Sequence, residues 1–61
     1  MDWITFLNVM IEDEKAAINK YKLAMEQANS KELKAALKRL MDEEKVHIDL
    51  LEHEISKLET V

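Results

Sequence analysis

Cysteine, glycine and proline do not occur in this chain, and tryptophan, tyrosine and phenylalanine occur once each. Without cysteine there is no zinc ribbon, no iron–sulfur cluster and no thiol nucleophile, and the redox compartment is left undetermined. Without glycine or proline, a composition of 48% apolar and 36% charged residues has the profile of long helices and is far from that of a disordered chain. Basic residues are in the minority, nine against thirteen acidic for a net charge of -4, which argues against a surface that tracks nucleic-acid phosphates. No long hydrophobic run is present either. The apolar opening from Trp3 to Ile11 is much too short to span a bilayer, and Asp2 stands where a signal peptide carries basic residues. The expectation is a soluble, cytoplasmic protein that binds neither nucleic acid nor membrane.

What is there is one short chain with strong periodicity. Domains below about 70 to 80 residues rarely bury enough apolar surface to fold without a disulfide, a metal or a partner. At 61 residues and without cysteine, a metal or a partner remains. Ile4, Leu7, Ile11, Glu14, Ile18, Tyr21, Met25 and Ala28 follow alternating steps of three and four, one stripe of a helix. Leu33, Leu37, Leu40, Glu44, His47, Leu51, Glu54 and Leu58 repeat the alternation, with Met41, Ile48 and Ile55 widening the stripe. Between them the pattern lapses, and Asn29 followed by Glu32 has the form of a capping box, with Ser30 as the rival N-cap. The spacing predicts helix 1 over about 2–28, a turn at about 29–30 and helix 2 over about 31–59. Such a short connection makes an antiparallel hairpin. Each helix then keeps part of its stripe uncovered. The expected completion is an all-α four-helix bundle from a homodimer, with a longer coiled-coil assembly as the alternative.

Glu14, Glu44 and His47 interrupt stripes that otherwise hold Leu, Ile or Met, and they are expected to be buried. An unpartnered carboxylate in a bundle core costs several kcal/mol, comparable to the stability of a small domain. Glu14 and the Glu44/His47 pair lie about equally far from the turn, roughly 24 Å at 1.5 Å per residue, so the three share one level. A dyad perpendicular to the bundle axis brings two triplets together. Four carboxylates and two imidazoles then surround a site that two divalent ions neutralise. Mixed carboxylate and imidazole ligation with open positions suits iron or manganese better than structural zinc. The Glu-x-x-His spacing is a weak signal alone; its place on the seam, opposite a second glutamate, carries the inference.

In "EKAAINKY" (Glu14 to Tyr21) and "EKVH" (Glu44 to His47) the chain resembles the helix pairs of rubrerythrins and other ferritin-like di-iron carboxylate proteins. The resemblance covers nearly the whole chain and implies a four-helix bundle in which Glu14, Glu44 and His47 ligate iron, two ions per dimer. It also implies that Tyr21 hydrogen-bonds near a ligand carboxylate. The chain is similar to half of such a bundle: it has no crossover joining two helix pairs and no cysteine-rich segment to deliver electrons. Oxidation of Fe(II) by dioxygen or peroxide is the activity least affected by these losses.

Other residues are given lesser roles. Glu43 and Glu54 are candidates to orient an imidazole or capture an incoming ion. Glu12 falls off the stripe, His53 projects away from the seam toward solvent, and Met10, Met25 and Met41 fill the core. Phe6 and Val9 point to the far side of helix 1, with Val46 a similar feature of helix 2. They predict a further contact, either a higher oligomer or a larger host. The competing function is a metal-free dimerisation or scaffold module whose polar seam residues fix register.

Overall fold

The computed structural model describes residues 1–60, and these form two helices, α1 (Trp3–Gln27) and α2 (Lys31–Glu59), joined through residues 28–30. Asp2 starts α1. Its carboxylate accepts the Thr5 backbone N–H at 3.1 Å and the Thr5 hydroxyl at 2.8 Å, satisfying one of the free amides of the first turn. At the other end Ala28 leaves the helix with extended backbone, φ -67° and ψ 133°, so no glycine is needed there.

The N-cap of α2 is Ser30, not Asn29. Ser30 has the extended conformation an N-cap needs (φ -140°, ψ 151°), and its hydroxyl accepts the Leu33 N–H at 3.0 Å. That register moves Glu32 to the second helical position, one residue short of where a capping box closes. Glu32 instead lies in the first turn, where its charge suits the positive end of the helix dipole.

Helices of 25 and 29 residues measure about 38 and 44 Å at 1.5 Å per residue. The molecule measures 48 × 14 × 13 Å, so both helices run along the long axis, side by side and antiparallel. Its radius of gyration, 14.4 Å, exceeds the value of about 10 to 11 Å for a compact chain of this length. Little can be enclosed by such a rod. Among the described residues only Ile11, Ile18 and Met41 are buried, while Leu7, Met10, Met25, Leu37, Ile48, Leu51 and Ile55 are half-covered. None of the described helices is long and apolar enough to cross a membrane.

The two sides of the hairpin differ. On one side Asn8, Lys15, Glu52, Ser56 and Glu59 line a shallow groove over Ile11 and Ile55. Lys38 and Lys45 fall on that flank of α2 at about 100° per residue, and both reach Asp42, at 3.0 and 3.9 Å. On the other side Trp3, Leu7 and Leu58 line a groove rimmed by Glu54 and Lys57. The same helical arithmetic puts Leu33, Leu40 and His47 on the Leu58 flank of α2, and Phe6, Met10 and Ala17 on the Trp3 flank of α1. One face is therefore polar and the other largely apolar, with His47 near its middle and Glu54 and Lys57 at its rim.

Candidate metal centre

Glu14 sits near the middle of α1 and Glu44 near the middle of α2, so the antiparallel packing sets them opposite each other. His47 follows Glu44 by three residues, which places both on one face of α2. The His47 Nδ1 atom lies 3.4 Å from Glu14 Oε2 and 3.7 Å from Glu44 Oε2. One ligand atom from each of the three residues lies within 4.8 Å of the others. Donors bound to one ion at about 2.0 to 2.2 Å are separated by up to about 4.4 Å, so small rotamer adjustments bring this set onto a common ion. The donor chemistry, two hard oxygens and a borderline nitrogen, fits iron or manganese. Charge-assisted imidazole–carboxylate pairs close to about 2.7 to 2.9 Å. The His47–Glu14 contact is a long hydrogen bond by comparison, and Glu44 Oε2 stands a little further off.

Coverage of the cluster is uneven, which departs from the expectation of a buried triplet. The Glu14 and Glu44 side chains are 18% and 20% exposed, the His47 side chain 51%. Two helices cover only the part of each stripe that faces the other. Glu14 and Glu44 lie at that line, whereas His47 lies on the flank that continues into Leu33, Leu40 and Leu58. The cluster thus opens onto the apolar face.

Other candidates are placed elsewhere. Tyr21 is half-buried on the same stripe two turns from Glu14, about 10 Å along the helix at 1.5 Å per residue, and is not one of the gathered ligands. Glu43 is exposed, and Glu54 is exposed with the Lys57 ammonium at 3.2 Å, so neither orients the imidazole within the hairpin. Glu12 is exposed beside Lys15 at 3.8 Å, leaving Glu14 as the seam residue. His53 is exposed, as its register requires. Among the described residues the Glu14, Glu44 and His47 group is the one cluster of its kind.

No protein-family model, no curated protein and no solved structure matches this chain. What bears on its function is the chemistry of these side chains and of the face onto which they open.

Proposed function

We propose that this chain is a di-iron carboxylate protein of the ferritin and rubrerythrin type, in which two hairpins pair by their apolar faces and close a two-metal site between them. The observation that carries the proposal is the convergence of Glu14, Glu44 and His47 at mid-helix, with the imidazole opening onto the apolar face. Three donors do not complete the coordination of iron or manganese, and burying that face against a second copy supplies three more. Paired about a dyad perpendicular to the long axis, the hairpins offer four carboxylates and two neutral imidazoles to two divalent ions, with charges balanced.

Fe(II) is then the substrate, and Mn(II) the alternative occupant. Two Fe(II) ions each give up one electron; dioxygen takes both with two protons and becomes hydrogen peroxide. With peroxide as oxidant, the same two electrons and two protons yield two waters. Glu14 and Glu44 favour the more highly charged ferric product, and His47 contributes a donor without adding charge. In this reading Tyr21, half-buried on the same stripe, has the role of a hydrogen-bonding group near a ligand carboxylate. Anaerobic Fe(II) titration followed by air, read in the near ultraviolet, tests this reading. Saturation at two ions per dimer and a ferric absorbance that disappears in Glu44→Leu are expected. No binding, or binding unaffected by that substitution, overturns it.

The second reading is a metal-free dimerisation module, favoured by the 3.4 Å contact that already gives the His47 ring a carboxylate partner. Iron content of the purified protein separates the two. A further contact is proposed at Phe6 and Val9, both exposed, with the Phe6 ring set edge-on to Trp3 at 5.9 Å. A clean dimer at high concentration, unchanged by Phe6→Ser with Val9→Ser, removes that contact.

A further inference from the structure

The hairpin is electrically lopsided along its length. The half next to the turn, residues 19–40, holds six basic side chains and two acidic ones; the open half, residues 1–18 and 41–60, holds three basic and eleven acidic. The open half also carries the apolar groove of Trp3, Leu7 and Leu58, in which Trp3 is 55% exposed. The Phe6 ring lies perpendicular to Trp3, with the ring centroids 5.9 Å apart. An acidic surround disfavours an acidic occupant and favours a basic one with an apolar tip.

We infer that this groove receives Leu33 from the turn half of a second, antiparallel copy of the chain. Leu33 is 45% exposed and shares its flank of α2 with Leu40, His47 and Leu58. It belongs to the basic half. Its height also matches. From the level of Glu14 to Trp3 is about 16 Å along α1 at 1.5 Å per residue, and from the Glu44/His47 level to Leu33 is about 19 Å along α2. A dyad at the level of the cluster therefore carries the partner's Leu33 to the height of Trp3 and Leu58. The two grooves of the pair are filled at once, and each acidic half lies beside a basic one. A parallel pair would instead set the two acidic halves together and leave both grooves empty. This inference rests on the pairing proposed above and takes its dyad from the level of the cluster, but it does not require Glu14, Glu44 or His47 to hold an ion.

Two readouts test it, first in chelator and then with Zn(II), which is redox-inert. Trp3 is the sole tryptophan, so its emission reports the groove directly. In the wild type it shifts to the blue as concentration drives association, and Leu33→Asp removes the shift and weakens self-association by roughly tenfold or more. The chain has no cysteine, so single-cysteine variants report orientation. An oxidised mixture of Leu33→Cys and Leu58→Cys yields the mixed disulfide in preference to either like pair. Like pairs in preference to the mixed one, a Trp3 emission that ignores concentration, or monomers in both buffers each overturn the inference. Antiparallel cross-linking without iron uptake keeps it and removes the metal reading; iron uptake by a parallel pair does the reverse.

Discussion

The two faces of this hairpin are built from the same two helices and meet solvent on opposite terms. On the polar face, lysines reach carboxylates three or four residues away, as Lys38 and Lys45 do at Asp42, and nothing further has to be covered. On the other face Trp3, Leu33, Leu40 and Leu58 remain 40% to 55% exposed, and the cluster of ionisable side chains emerges among them. Exposed apolar residues scattered singly mean little, whereas a contiguous face of them is the feature on which the proposed pairing rests. The hairpin leaves its large apolar side chains exposed mainly on one side, and the Glu14, Glu44 and His47 cluster opens onto that side.

The largest effect is expected where one substitution is made on each face. Leu40→Asp sets a carboxylate in the apolar face and should weaken self-association by about 3 kcal/mol, more than a hundredfold in the dimer constant. Lys38→Asp, two residues earlier on the polar face, replaces an exposed ion pair with a like-charge pair against Asp42 and should alter stability by about 1 kcal/mol or less. Sedimentation equilibrium and thermal melts of both variants check the contrast. Equal effects from the two would mean that the faces are equivalent.

The cluster itself sharpens the comparison from inside. Glu14→Leu and Glu44→Leu should each abolish iron oxidation while leaving the metal-free protein as stable as the parent, or more stable by about 1 to 4 kcal/mol. A bound ion stabilises only the folded form, so the parent should gain thermal stability on adding Fe(II) under nitrogen and the variants should not. If both metal-free variants melt well below the parent, the glutamates are structural and the scaffold reading stands.

Much of this arrangement is legible in the sequence, for identifiable reasons. Steps of three and four residues mark both helices because the helical period is a local property, and Ile11, Ile18 and Met41, the buried residues, all belong to the stripes. The common level of Glu14, Glu44 and His47 follows from counting outward from the turn, since rise per residue is nearly constant. Exposure is different. A stripe tells which residues face inward in a finished bundle, not how much one partner helix covers, which is why His47 is half open in the hairpin although its register puts it on the seam. Nor does the pattern show which of two adjacent polar residues caps α2, because Asn29 and Ser30 are both competent and backbone conformation decides between them. The Asp2 cap has a local signal in the sequence, an aspartate three residues before a threonine at the start of an apolar run.

The α2 cap gives a smaller, purely local prediction. Ser30→Ala leaves the Leu33 amide without its acceptor and should cost about 1 kcal/mol in a melt. Ser30→Asn should recover most of it, whereas Asn29→Ala should do little. A larger loss from Asn29→Ala would mean that the helix starts one residue earlier.

The smallest effect belongs to the open end, where the α1 cap is a titrating group. The Thr5 backbone N–H, and then the Thr5 hydroxyl, hold the Asp2 carboxyl below its ordinary value of 3.8, because both donate to the ionised form. With the folded value depressed, the contribution of this cap is fully present above the unfolded pKa and is lost as pH falls through the folded one. Asp2→Asn keeps an N-cap acceptor but does not titrate, so its stability should lack this part of the acid dependence. The contrast is confined to acid, since Asp2 is ionised in both states at neutral pH. Melting the two proteins at pH 7 and again across the range just below 4 should show a gap that narrows with acid. A gap that widens would mean that the carboxylate is not stabilised where it caps the helix.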